Sequence, residues 1–311
     1  MTFSAALPSR LPHVGTTIFT VMSALATEHG AINLGQGFPD FECNPALLDA
    51  VTVAMHAGHN QYPPMIGVPA LRDAVSAKVL ALYSRHYDPA TEITITAGAT
   101  QAIFTAILAL VQPGDEVIVL EPCYDSYAPN IEVAGGRVVR VPLTPRTFRP
   151  DFVAIAAAMT TRTRAIIVNS PHNPTATVWT PAEMAQLAAL LAPTDVVLIS
   201  DEVYEHMVFE GATHISAASL PSLAERTVVV SSFGKTYYVT GWKIGYVAAP
   251  ATLMAEFRKL HQFNVFTVNT PMQHALAAFM QDASHHLSLP RFYQAKREDT
   301  LDEALSRLSK V

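Results

Sequence analysis

Ser231-Ser232-Phe233-Gly234-Lys235-Thr236-Tyr237-Tyr238-Val239-Thr240-Gly241-Trp242-Lys243-Ile244-Gly245-Tyr246 sets a lysine in a small, hydroxyl-rich turn. The apolar run 227–230 precedes the turn, and a second cation, Lys243, follows Lys235 by eight residues. A lysine held at the end of a buried strand can bond covalently to an aldehyde. Hydroxyls beside a fixed ammonium can hold a phosphate. This turn therefore suits a ligand that carries both groups.

Outward from the turn, short apolar runs alternate with helical patterns. Residues 92–96, 116–120, 137–141, 164–168, 196–199, 227–230 and 244–248 read as strands. Residues 45–56, 68–83, 100–111, 271–280 and 291–308 read as helices. Strands that are apolar throughout, separated by helices, predict an α/β fold with a mostly parallel sheet covered on both faces. The first forty residues read as an arm, with a short helix over 16–28 and a Pro- and Gly-bearing loop over 33–40. Lys310-Val311 falls inside a helical pattern with no Gly or Pro stop signal, so the last domain reads as unfinished.

Half of the 311 residues are apolar and 15% are charged, which allows a large core and argues against disorder. A net charge of −6 and a pI near 6.0 argue against nucleic acid or an anionic membrane as the main partner. Cys43 and Cys123 cannot form a disulfide framework and lack zinc-ligand spacing, so no metal is expected. His285-His286 lies in a polar segment without other metal-ligating residues and reads as solvated surface. No apolar run is long enough to span a membrane, and residues 1–15 lack an apolar signal core, so the expected location is the cytoplasm.

Open α/β sheets gather ligands at the carboxyl ends of their strands, and four such ends here carry polar groups. Ala97-Gly98-Ala99-Thr100 follows the first. Backbone N–H groups opening a helix, with the Thr100 hydroxyl, can form a phosphate cup, although alone the segment reads as an ordinary capped turn. Asn169-Ser170-Pro171-His172-Asn173-Pro174-Thr175 follows another. Its two asparagines can donate to a phenolate and to a carboxylate, or serve only as turn chemistry. Ser200-Asp201-Glu202-Val203-Tyr204 follows a third. A buried aspartate needs a cation, which a protonated pyridine nitrogen supplies, unless it caps a helix. Tyr204 is then three residues away and in reach of the same ring's phenolic oxygen. Aldehyde, phosphate, pyridine nitrogen and phenolic oxygen together describe pyridoxal phosphate. Tyr124 can stack on the pyridine face, or belong to the core.

On these residues the chain resembles a class I, fold-type I pyridoxal-phosphate aminotransferase. Within that family it resembles the methionine aminotransferases and the kynurenine–glutamine transaminases. Asn33-Leu34-Gly35-Gln36-Gly37-Phe38-Pro39-Asp40-Phe41, Asn60-Gln61-Tyr62, Thr96-Ala97-Gly98-Ala99-Thr100, Ser200-Asp201-Glu202-Val203-Tyr204-Glu205 and the lysine turn match in order. The resemblance implies a mostly parallel mixed sheet flanked by helices, plus an incomplete small α/β domain. Residues 1–44 would form an N-terminal arm and part of the small domain, 45–285 the large cofactor domain, and 286–311 the start of a truncated C-terminal domain.

The resemblance also implies roles. Lys235 would bond the cofactor's aldehyde and move the substrate's proton. Asp201 would pair with the pyridine nitrogen, and Asn173 and Tyr204 with the phenolic oxygen. Ala99, Thr100, Ser232 and Lys243 would hold the phosphate, and Tyr124 would stack. Tyr62 would reach into the partner's site in a homodimer. Gly37 and Asn173 would bind the substrate carboxylate, and Phe19 and Phe38 would line the side-chain pocket. The implied reaction passes the amino group of methionine, glutamine or an aromatic amino acid to a 2-oxo acid. Ala176 departs from the family's usual Gly, and no residue corresponds to its later carboxylate-gripping arginine. A cofactor-binding chain with little turnover, and a C–S β-lyase, are the alternative expectations.

Other motif matches fail on context. Ser232-Phe233-Gly234-Lys235 satisfies S-x-x-K, but its order relative to Ser200-Asp201-Glu202 is reversed and no K-T-G follows. Gly234-Lys235-Thr236 lacks the earlier Gly of a P-loop, where Val229 stands, and Gly35-Gln36-Gly37 lacks a third Gly.

Overall fold

The computed structural model describes residues 8–308 other than 32, 34, 36, 38 and 40. Strands β1 (Ile93–Thr96), β2 (Glu116–Glu121), β3 (Arg137–Pro142), β4 (Thr163–Asn169), β5 (Val197–Asp201), β6 (Thr227–Ser232) and β7 (Gly245–Ala248) form one sheet. Their order is β1-β7-β6-β5-β4-β2-β3. β3, β2, β4, β5 and β6 pair in parallel, while β7 runs antiparallel to β6 and to β1. This is the mostly parallel mixed α/β sheet expected from the sequence.

Successive strand side chains point to opposite faces, and the core divides accordingly. Val117 and Val119, Ala165 and Ile167, Ile199, Val228 and Val230, and Val247 pack beneath the helices Gly98–Leu110 and Ala251–Asn264. Ile118 and Leu120, Ile166 and Val168, and Leu198 meet the helix Pro181–Leu191 on the other face. Ile93, Ile95, Val229, Tyr246 and Ala248 meet the helix Pro69–Tyr83 there as well. The same alternation carries past the apolar runs. Asn169, Asp201 and Ser232 fall on the face of Gly98–Leu110, whereas Ser200 and Ser231 point to the opposite face.

The expected helices are present as Ile18–Glu28, Pro45–His56, Pro69–Tyr83, Gly98–Leu110 and Thr270–Phe279. Helices that the periodicity does not single out include Phe152–Ala158, Pro181–Leu191 and Ala251–Asn264, besides Tyr127–Val133 and the single turns Pro221–Ala224 and Phe233–Thr236. The second of these opens on a reciprocal Thr180/Glu183 capping box with Pro at its first turn, an N-terminal signal legible in the sequence.

The last helix starts at Ser284 rather than 291 and continues through Pro290 to Leu308. Its earlier start corrects the reading of the histidine pair. His286 is buried and lies 5.2 Å from the His206 ring. His285 puts Nε2 2.9 Å from the Thr236 carbonyl and stacks on Tyr237. The first turn of this helix rests on residues 236–238, so the two imidazoles are packing groups, not solvated ones. Among the described residues no helix is long and apolar enough to cross a membrane.

Candidate active site

The carboxyl ends of β4, β5 and β6 open onto a cavity of about 490 Å³. Phe19, Gly37, Ala99, Thr100, Tyr124, Asn173, Asp201, Tyr204, Ser232, Lys235 and Lys243 all line it. Among the described residues its cations are Lys235 and Lys243. Tyr62 is not in its own chain's cavity. It stands 82% exposed on the surface, edge-on to Phe266 at 5.5 Å. Phe38 lies outside the described residues.

Asp201 closes β5 and is 3% exposed. Its Oδ2 accepts a hydrogen bond from the Tyr127 hydroxyl at 2.7 Å, and its Oδ1 accepts from the Val203 amide at 3.3 Å. Burial raises its pKa to about 6, the Tyr127 hydrogen bond opposing the rise. The Tyr127 hydroxyl is itself pushed well above its usual value, by burial first and then by the Asp201 charge. Tyr127 was not singled out in the sequence. Its only signal was its spacing of three residues from Tyr124, whose ring it meets edge-on at 5.7 Å.

Asn169 behaves differently from the expected ligand donor. Its Nδ2 donates to the Asp201 carbonyl at 2.8 Å and its Oδ1 accepts from the Asn173 amide at 2.6 Å. Both ends of that carboxamide brace backbone, although Asn169 and Asn173 both line the cavity. Tyr204 is raised to about 12 by burial and then by Asp201, so its hydroxyl stays a donor. Ala176, the departure from the family pattern, has φ +58. A glycine occupies that conformation freely, whereas alanine costs about 1 kcal/mol there.

Lys235 sits on a short helix, Phe233–Thr236, capped by Ser232, whose Oγ accepts from the Gly234 amide at 3.1 Å. Its Nζ donates to the Gly37 carbonyl at 2.6 Å and lies 5.4 Å from the Tyr204 ring centroid. Burial, and then the Lys243 charge, lower its pKa, so the neutral amine forms at a lower pH than for a free lysine.

The 97–100 segment forms a cup beside Lys243. Gly98 has φ +78, and a Cβ there would lie 3.6 Å from the Lys243 ammonium. Gly245 admits the cup from below, because a Cβ on it would come within 2.6 Å of the Ser231 carbonyl and 3.1 Å of the Ala99 amide. The helix Gly98–Leu110 therefore aims its free first-turn N–H groups at the ammonium's side of the cavity. The Thr100 hydroxyl is 3.4 Å from that of Tyr124.

A mostly parallel mixed sheet with a lysine, an aspartate and an N-terminal helix cup at its strand ends defines a fold-type I transferase. The family model for class I and II aminotransferases matches residues 29–310, and the chain belongs to that family. It is 52% identical to the methionine aminotransferase of Escherichia coli over 308 residues, 98% of this chain and 80% of that one. It is 38% identical to human kynurenine–oxoglutarate transaminase 1, over 88% of this chain and 70% of the other. The E. coli structure reported with a methionine aminotransferase function superposes with a TM-score of 0.93 at 51% identity, covering 95% of this chain and 78% of that one. Aspartate aminotransferase of Thermus thermophilus with maleate gives 0.88 at 31% identity, over 98% and 81%. The chain is an enzyme of the aminotransferase class.

Proposed function

We propose that this enzyme uses pyridoxal phosphate to move the amino group of methionine, and of glutamine or aromatic amino acids, onto a 2-oxo acid. The convergence of Lys235, Asp201, Asn173, Tyr204 and Lys243 on one cavity is the observation that carries the reading. Likeness to a methionine aminotransferase and to a kynurenine–oxoglutarate transaminase supports methionine and an aromatic amino acid as donors.

Two features fit the cofactor. Asp201 is a buried carboxyl whose ionisation no cation among the described residues offsets. A folded-state pKa of about 6 against an ordinary 3.8 means the ionised form burdens the fold by about 3 kcal/mol. The burden is absent below pH 3.8, grows through pH 6 and is full above it; a bound pyridinium relieves it. The second feature is the cup itself, where N–H groups, Ser232, Thr100 and the Lys243 ammonium fit a phosphate dianion.

When bound, pyridoxal phosphate supplies an aldehyde and a protonated ring that withdraws electrons from the substrate's Cα. The Lys235 Nζ removes the proton from that Cα, as its lowered pKa allows. Asp201, fixed in place by Tyr127, would hold the ring nitrogen and its proton. Tyr204 and Asn173 would hold the cofactor's phenolic oxygen, and Tyr124 would pack against its ring. Gly37 and Asn173 would meet the substrate carboxylate, and Phe19 would border its side chain. Residues 45–285 form the cofactor domain in this reading, and the protein works in the cytoplasm as a homodimer.

Asp201→Asn keeps an acceptor for Tyr127 but removes the charge. Loss of a buried ionic partner of about 4 kcal/mol lowers kcat about a thousandfold, with an unchanged circular-dichroism spectrum. Near-normal turnover would remove Asp201 from its role.

Tyr62, exposed in its own chain, serves the partner's cavity. Hybrid dimers of Lys235→Ala and Tyr62→Ala subunits then regain one intact site of two, roughly half of normal turnover per dimer. Hybrids no more active than the Tyr62→Ala homodimer would rule out the crossing.

A further inference from the structure

Gln101, in the first turn of the helix Gly98–Leu110, belongs to no motif, and its side chain bonds within that helix and to the helix Ala251–Asn264. Its Oε1 accepts from the Ala97 amide at 3.0 Å. Ala97 is the residue before the helix, has no side chain to cap it, and is followed by Gly98 at φ +78. The Ala97 N–H is thus the donor of the turn that is tied off inside the protein, leaving those of Gly98, Ala99 and Thr100 for an anion.

The other end of the carboxamide is held as firmly. Its Nε2 donates to the Thr105 hydroxyl at 2.7 Å, to the Asn264 Oδ1 at 3.2 Å and towards the His261 Nδ1 at 3.3 Å. Thr105 also accepts from the Asn264 Nδ2 at 2.6 Å and donates to the Gln101 carbonyl at 2.8 Å. Thr105 and His261 are fully buried. These partners allow one orientation of the carboxamide only, because the Ala97 N–H requires an oxygen at Oε1. His261 must then be a neutral acceptor at Nδ1, in keeping with burial lowering its pKa to about 4. The cluster runs from the cup to the end of the helix Ala251–Asn264, two residues before Phe266, which packs on Tyr62.

We propose that Gln101 is the positioning residue of the phosphate cup, converging the Gly98, Ala99 and Thr100 amides by anchoring the Ala97 turn to Thr105, His261 and Asn264. The proposal rests on the reading of the 97–100 segment as a phosphate site. A residue that merely stabilised the helix would affect every ligand of the cavity alike. A residue that shapes the cup affects the phosphate alone.

The test compares affinities of the cofactor-free full chain for pyridoxal phosphate and for pyridoxal, read by quenching of tryptophan fluorescence. Wild type binds pyridoxal phosphate far more tightly than pyridoxal; equal affinities would overturn the phosphate reading itself. Gln101→Met fills the same space without either polar end. It weakens pyridoxal phosphate about tenfold, the cost of a half-buried amide left unpaired, and pyridoxal less than twofold. Thr105→Val, which removes only the anchor, shifts the same ratio about threefold, while Thr105→Ser, which keeps the hydroxyl, leaves it in place. A wild-type preference that survives Gln101→Met and Thr105→Val undiminished would overturn the role of Gln101. So would a parallel loss for both ligands.

Discussion

Lys235→Ala lowers turnover by at least about 10⁴-fold, the range of a positioned general base combined with a lost covalent anchor, and leaves the protein without the absorbance band of lysine-bound cofactor. The Nζ of Lys235 is fixed from two sides, by the Gly37 carbonyl at 2.6 Å and by the Tyr204 ring at 5.4 Å. Lys243, the other cation of the cavity among the described residues, sits against Gly98 at the cup and cannot exchange places with it. Its positive charge lowers the Lys235 pKa, after burial, and so raises the fraction of neutral amine at neutral pH. The fold survives the change, because the Lys235 side chain faces the cavity rather than the core. A variant that keeps both the band and its turnover would remove Lys235 from the chemistry.

Lys78→Met unfolds far more easily than wild type, by about 3–5 kcal/mol. Lys78 belongs to the helix Pro69–Tyr83, and its Nζ lies 2.5 Å from the Glu205 Oε1 with side-chain exposures of 6% and 2%. The same carboxylate accepts from the Ser231 hydroxyl at 2.7 Å and from the Tyr83 hydroxyl at 2.6 Å, and Lys78 reaches the Tyr246 hydroxyl at 3.2 Å. Methionine fills the volume of the lysine stem but leaves the Glu205 charge buried without a cation. Lys78→Met with Glu205→Gln removes both charges, and most of the lost stability returns.

The pH dependence of this pair has a definite sign. Burial alone would lower the Lys78 pKa, but the Glu205 carboxylate reverses that and raises it; burial alone would raise Glu205, and Lys78 holds it well below its usual range. A depressed carboxyl contributes stability above its ordinary 4.5, lost as pH falls further; a raised lysine contributes below its ordinary 10.5. Wild type and Lys78→Met therefore differ most between about pH 4.5 and 10.5 and converge in acid. Thermal unfolding followed by circular dichroism across that range measures the difference, and a constant gap down to pH 2 would contradict the ion pair. Glu205 lies one residue from Tyr204 and four from Asp201, so this buried pair also secures the turn that presents both to the cavity.

The cavity side of the molecule was readable from local sequence because strand parity does the positioning. Asp201 and Ser232 end apolar strands, and period-two alternation puts them on one face as soon as the strands are found. Lys235 follows from the hydroxyl-rich turn and the small capping residue before it. The supporting residues were not readable, since their partners are distant in the chain. Lys78 and Glu205 are 127 residues apart, and Tyr127 and Asp201 are 74 apart. Asn169 shows the same limit in another form. Its residue type announced a hydrogen-bonding role, but only the fold reveals that both ends of its carboxamide are spent on backbone. The helix Ala251–Asn264 was missed because only Met254, Phe257 and His261 of its fourteen residues are buried, too few to stand out as a stripe. His285 and His286 look polar in sequence and pack as aromatics, because the residues they cover, Tyr237 and His206, are brought to them by other elements.

The visible absorbance spectrum of the purified chain loaded with pyridoxal phosphate, recorded before and after methionine and again after a 2-oxo acid, tests the proposed reaction most directly. The band of lysine-bound cofactor falls when methionine is added, a pyridoxamine band replaces it, and the 2-oxo acid restores the first. A band that forms but is indifferent to methionine, glutamine and aromatic amino acids alike would contradict transamination of these donors by this chain.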